Sequence, residues 1–220
     1  MSETVPQTQV PRRRRGPRGA LVRLLLMVCA IGIFILGYQW GNQRHFSQSP
    51  AIEGVLLTPA MPLPAFALVD TEGQPFGRDQ LADHWTLLAF GDLAQPRGQL
   101  AIQRLLDVYH HLGTQVEPRQ RPWLVLAAAS QPVDLARDFV RLSPALRLMS
   151  GEAGDLGQLA KLLGEPPHPE RDSRATLYLI APNAKLLAFF PASQAAQAVA
   201  ADLTLLAAWP LDALENLSHE

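Results

Sequence analysis

Residues 85–112, "WTLLAFGDLAQPRGQLAIQRLLDVYHHL", change texture twice within 28 residues. Trp85 to Phe90 form a short apolar run of the kind that a strand buried on both faces requires. From Leu100 onward the period becomes helical, with Leu100, Leu105, Leu106, Val108, Tyr109 and Leu112 on one stripe. The turn between them, residues 91–99, places Gln95 and Gln99 around Pro96, Arg97 and Gly98. A strand that leads through a loop into a helix is where many α/β proteins keep their chemistry. This loop holds no good nucleophile, no strong metal ligand and no general base.

The alternation continues on both sides. "WLVLAAAS" reads as a second buried strand and "VDLARDFVRL" as a second helix. "LRLMSG" is a short extended piece, and "DLGQLAKLLG" a third helix that ends at Gly164. "ATLYLIAP" and "AKLLAFFP" are strands joined by a tight Asn-Ala-Lys turn, before a final Ala-rich helix, "SQAAQAVAADLTLLAAW". Upstream, "FALVD-TEG-QPF" is a hairpin around an Asp-Thr-Glu-Gly turn. Long crossovers require parallel pairing of the first strands, and the short turn makes the last two antiparallel. The expected sheet strands are 86–90, 123–128, 176–180 and 186–190, flanked by helices near 98–112, 133–142, 154–163 and 195–208. The order is that of an α/β, thioredoxin-like fold with an N-terminal β-hairpin.

The N-terminal part differs in kind. Arg12, Arg13, Arg14, Arg15 and Arg18 precede residues 20–40, "ALVRLLLMVCAIGIFILGYQW", whose one charge is Arg23. That run has the length and apolarity of a membrane-crossing helix, with Tyr38 and Trp40 at its far end as interfacial aromatics. Because the arginines lie on the N-terminal side, residues 1–19 are expected in the cytoplasm and the remainder outside it. No small-x-small cleavage site follows, which argues against a removed leader. The reading is a single-pass, N-in anchor of the inner membrane. The organisation is then a basic, disordered tail at 1–19, a transmembrane helix at 20–40 and a linker at 41–63. A domain at 64–209 and a C-terminal tail at 210–220 follow.

Overall net charge is −1 among 220 residues, so no nucleic-acid partner is implied. The one cysteine, Cys29, falls in the expected span and leaves the domain without a thiol. No Ser-His-Asp, HExxH, GxGxxG or P-loop spacing is present, and the domain reads as a non-enzyme without a cofactor.

From about Pro64 to Trp209 the chain resembles the Sco/SenC family. The segments that carry the resemblance are "PLPAFALVDTEGQPFGRDQLADHWTLLAFGD", "LRLMSGEAGDLGQLAKLLG" and "DSRATLYLIAPNAKLLAFF". In the last of these, Asp172, Ala175, Tyr178, Leu179 and Pro182 are in register with the family pattern. The resemblance implies a membrane-tethered, thioredoxin-fold copper chaperone of cytochrome c oxidase maturation, partnered by a respiratory-chain protein or assembly factor. It also implies copper ligands, two cysteines in C-x-x-x-C and a distant histidine. Aligned on Phe90-Gly91 and Pro96, the cysteine positions are Gln95 and Gln99; aligned on Asp172 and Ala175, the histidine position is Ser173. Cuprous copper needs soft thiolate or thioether donors with imidazole, and redox exchange needs a thiolate. Neither chemistry is available here. The expectation is a degenerate, non-catalytic accessory protein whose surface around Gln95, Arg97, Gln99 and Ser173 meets a partner.

Two rivals remain open. One is a relocated metal site using His168 with Asp92 or an N-terminal group; the other is a thioredoxin-like interaction domain of unrelated role. His110 and His111 are adjacent on a helix, point about 100° apart, and read as cations at a helix C-terminus. Met149 reads as core, Asp92 as a turn former, and Asp172 with Arg174 as a possible ion pair.

Overall fold

The computed structural model describes residues 27, 29–34, 50–113, 116–117, 120–165 and 175–215. The chain divides into two units, residues 1–47 and 48–220. In the first, residues 29–34 are helical and mostly exposed. The rest of the expected 20–40 span, Met27 apart, lies outside the described residues, and no helix among the described residues is long and apolar enough to cross a membrane.

The second unit is built on one mixed sheet of eight strands: β1 Val55–Pro62, β2 Ala67–Val69, β3 Pro75–Gly77, β4 Thr86–Phe90, β5 Trp123–Ala128, β6 Leu146–Gly151, β7 Leu177–Ile180 and β8 Lys185–Phe190. Their order across the sheet is β1-β8-β7-β4-β5-β6-β2-β3. β4, β5 and β6 run parallel, and every other neighbouring pair is antiparallel. The helices are α1 Pro96–Leu112, α2 Val133–Leu142, α3 Ala153–Leu162, α4 Ala196–Ala207 and α5 Leu211–Glu215, with a 3-10 turn at Arg78–Leu81.

The continuous apolar runs of the central strands have a direct cause. Side chains alternate between the two faces of a sheet, and here both faces are covered. On one face Leu87 and Ala89 of β4, Leu124 and Leu126 of β5, and Leu177 and Leu179 of β7 pack with Leu105 and Val108 of α1 and Val199 and Leu203 of α4. On the other, Leu88, Val125, Tyr178 and Ile180 meet Leu156 and Leu159 of α3 and Leu68 and Phe76 of the hairpin.

The expected strands and helices of the domain are thus present within about two residues. Two boundaries are corrected. Val55–Pro62, read as linker, is an outer strand paired with β8, its register shifting between Leu56 and Met61. Leu211–Glu215, read as tail, is a short helix whose Leu214 is buried in the main core. The other outer strand, β3, begins with Pro75.

Candidate functional site

The loop after β4 is held from two sides. The Asp92 carboxylate accepts the Ala94 N–H at 2.8 Å and its carbonyl accepts the Gln95 N–H at 2.9 Å, so Asp92 is the turn former expected from its position. The Gln131 amide, which sequence reasoning did not single out, clamps the same loop. Its Oε1 accepts the Leu93 N–H at 3.1 Å and its Nε2 donates to the Gly91 carbonyl at 3.2 Å. Gly98 is obligatory: a Cβ there would stand 2.0 Å from the Asp92 carbonyl oxygen. The loop therefore folds tightly against the first turn of α1.

Gln95 is the N-cap residue of α1 with extended backbone, and Pro96 occupies the first helical turn, where its missing N–H costs nothing. The Gln95 carbonyl accepts the N–H groups of Gly98 and Gln99, while its side chain makes no cap bond and is exposed. Gln99 lies one turn on, and its Nε2 donates back to the Leu93 carbonyl at 3.2 Å. Positions 95 and 99 thus bracket the first turn of α1. Ser173, His168, Asp172 and Arg174 lie outside the described residues.

Between the two glutamines, Arg97 turns inward. Its guanidinium pairs with the Glu165 carboxylate, and both side chains are largely buried, at 12% and 6% exposure. The other carboxylate oxygen of Glu165 accepts the Tyr178 hydroxyl at 2.6 Å. Tyr178 is itself buried and meets Phe90, at the end of β4, edge to face with centroids 5.9 Å apart. Burial, then the hydrogen bond and negative charge of Glu165, push the Tyr178 hydroxyl far above the ordinary phenol range. It therefore stays protonated and donates. A chain Arg97–Glu165–Tyr178 closes the floor of the loop and ties α1 to β7 and to the segment just past α3.

Copper chemistry fits this donor set poorly. Carboxamide oxygens are hard and neutral, and the Gln99 amide is already engaged with backbone. Among the described residues no three His, Cys, Asp or Glu side chains come together. Met149 is buried in the core, and His110 and His111 are exposed in the last turn of α1, each in the role its position suggested. Glu165 and Tyr178 were not legible as a pair, since 13 residues of sequence separate them.

No family model and no curated protein matches the chain in sequence. Solved structures do match in fold. BsSco, a member of the Sco family of cytochrome c oxidase assembly proteins, superposes with a TM-score of 0.55 at 11% identity, covering 72% of this chain and 100% of that one. Yeast Sco1 with copper bound gives 0.53 at 13% identity, covering 69% and 91%. Apo Sco1 from Thermus thermophilus gives 0.51 at 22% identity, covering 72% and 98%.

Breaking the ion pair should be costly and removing it whole should not. Arg97→Met alone strands the Glu165 charge and should lower unfolding free energy by about 3 kcal/mol. Arg97→Met combined with Glu165→Gln should recover most of that loss in urea denaturation; additive losses would refute the pairing.

The Tyr178 shift has a sign. Its folded pKa lies above the unfolded value of about 10, so its contribution is complete below that value and is lost as pH rises past it. Stability should fall above roughly pH 10 by up to about 1.4 kcal/mol per pH unit from this group. Denaturation of Tyr178→Phe across the same range should show a shallower slope.

The chain thus carries the thioredoxin-like fold of the Sco proteins.

Proposed function

We propose that this chain is a degenerate Sco/SenC-type protein that acts by contact rather than by carrying copper. In this reading it is a non-catalytic accessory factor in cytochrome c oxidase assembly or copper-centre maturation. The observation that carries the reading is the content of the loop. The two cysteine positions of the resembled family hold Gln95, exposed at the helix cap, and Gln99, folded onto the Leu93 carbonyl. The cation between them is turned inward onto Glu165.

What remains exposed in the loop, Ala94, Gln95, Pro96 and Gln99, is uncharged and lies beside the half-exposed Asp92 carboxylate, a polar surface on a rigid base suited to recognition. The arginine cluster and apolar run before the domain support a single-pass anchor with the domain on the outer face of the inner membrane. The partner would then be a respiratory-chain protein or another assembly factor.

Copper titration against a chromophoric competitor tests the chemistry. The detergent-solubilised chain should bind Cu(I) no better than a surface histidine does. Gln95→Cys, Gln99→Cys and Ser173→His together should bind one Cu(I), because soft S₂N ligation is restored. Tight stoichiometric binding by the unmodified chain would overturn the reading and favour a relocated site at His168 with Asp92 or an N-terminal group. A folded triple variant that binds nothing would count against the alignment.

The cellular role is tested separately. Cells lacking the chain should lose assembled cytochrome c oxidase and regain it with the unmodified chain. Unchanged oxidase would favour an interaction domain of unrelated role.

A further inference from the structure

None of the eight residues of β1 is fully buried, whereas every other strand of the sheet carries at least one buried residue. β1 pairs with β8 in two short stretches, Val55 and Leu56 on Phe189 and Ala188, and Met61 and Pro62 on Leu186 and Lys185. Between them residues 57–60 pass the single residue Leu187 without pairing. The link from β1 to the next strand is also short. Four residues, 63–66, join Pro62 to β2, although five strands lie between β1 and β2 in the sheet. Leu63 and Phe66 of that connector pack onto a sheet face, so it has little slack. Short hinges of this kind invite the exchange of an element between copies.

One buried group holds the start of this strand. The Asp202 carboxylate of α4, 4% exposed, accepts the N–H of Glu53 at 3.1 Å, the N–H of Gly54 at 2.9 Å and the Gln194 side-chain amide at 2.8 Å. No cation stands within ion-pair distance of it among the described residues. Its charge is therefore compensated by hydrogen bonds, two of them from the backbone that leads into β1. Gly54 fits because it lacks a side chain: a Cβ there would stand 2.5 Å from the ring of Phe190, itself fully buried. The seat thus accepts two successive backbone N–H groups with glycine at the second, followed by a strand. Without β1 this carboxylate would lose two donors, and the margin of the sheet would be β8, whose six residues include no proline to blunt it.

We propose that β1 is an exchangeable strap, and that the β8 edge with Asp202 forms an interaction surface for residues 53–62 of a second copy of this chain. A second copy carries, by construction, the glycine and the paired N–H groups that the seat requires. In the exchanged pair each β1 makes on its partner the contacts that it makes within its own chain, so the two states differ mainly in the path of the connector. Pro59 and Pro62 oppose the addition of a further strand onto β1, so exchange closes at two copies. Asp202 sets the barrier, because β1 leaves only when both of its N–H bonds to a buried charge are broken.

The test uses the full chain in detergent with Cys29→Ser, as two differently tagged forms, one carrying Leu56→Cys and the other Ala188→Cys. These positions face each other across β1 and β8, at the separation that a disulfide needs. Ala188 is fully buried, so random collision does not join them. After mixing and mild oxidation, a disulfide between the two tagged forms should appear, and its yield should rise with protein concentration. Asp202→Ala should speed its appearance roughly tenfold, since hydrogen bonds to a charge are lost, and Asp202→Asn should fall between. Leu56→Cys and Ala188→Cys in one chain should instead give a disulfide within that chain at low concentration. Failure to do so overturns the register on which the inference rests. No disulfide between the tagged forms, with Asp202 in place or with Asp202→Ala, overturns the exchange. Equal rates in all three backgrounds overturn Asp202 as the lock.

Discussion

Glu165 accepts from two donors on different elements, the Arg97 guanidinium of α1 and the Tyr178 hydroxyl of β7. A carboxylate this buried is stable only when both oxygens are satisfied and its charge is matched, and this arrangement meets both conditions. It also dictates what the loop can present. With Arg97 turned inward, the exposed residues Ala94, Gln95, Pro96 and Gln99 carry no charge, and the first turn of α1 is tied to β7. The pair does mechanically what a bound metal would do between two helix-borne ligands and a distant segment: it cross-links elements that are remote in sequence.

The loop backbone is held independently of the side chains it presents. Gly91 and Gly98 approach so closely that no larger residue fits between loop and helix, and Gln131 holds the loop backbone through both ends of its amide. None of these contacts depends on the identity of the side chains at positions 95 and 99. Thiols could be exchanged for carboxamides at those positions without disturbing the backbone, and Gln99 finds a local carbonyl partner.

Much of the domain was legible because its signals are local. The runs at 86–90 and 123–128 are apolar on successive residues because both sheet faces are covered, and the stripe from Leu100 to Leu112 repeats at helical spacing because one face meets the core. β1 escaped notice for an equally physical reason. "VLLTPAMP" contains two prolines and no clean alternation, and it is a strand only because β8 offers an edge to pair with. α5 was hidden behind Pro210, which reads as a stop, although Leu214 completes the core. The placement of Gln95 and Gln99 followed from helix geometry. The Arg97–Glu165 pair did not, because 68 residues separate the partners and a glutamate after Gly164 reads as an ordinary solvated charge.

The outer strands bear on how copies of the molecule behave when crowded. β1 contains Pro59 and Pro62, and β3 opens with Pro75. Proline lacks the N–H that an added strand would need, and it is a common device for blunting sheet edges. Both margins of this sheet are therefore poor templates for further pairing. Edge-to-edge stacking is a hazard wherever copies of a sheet protein are concentrated. The prolines at both margins oppose such growth.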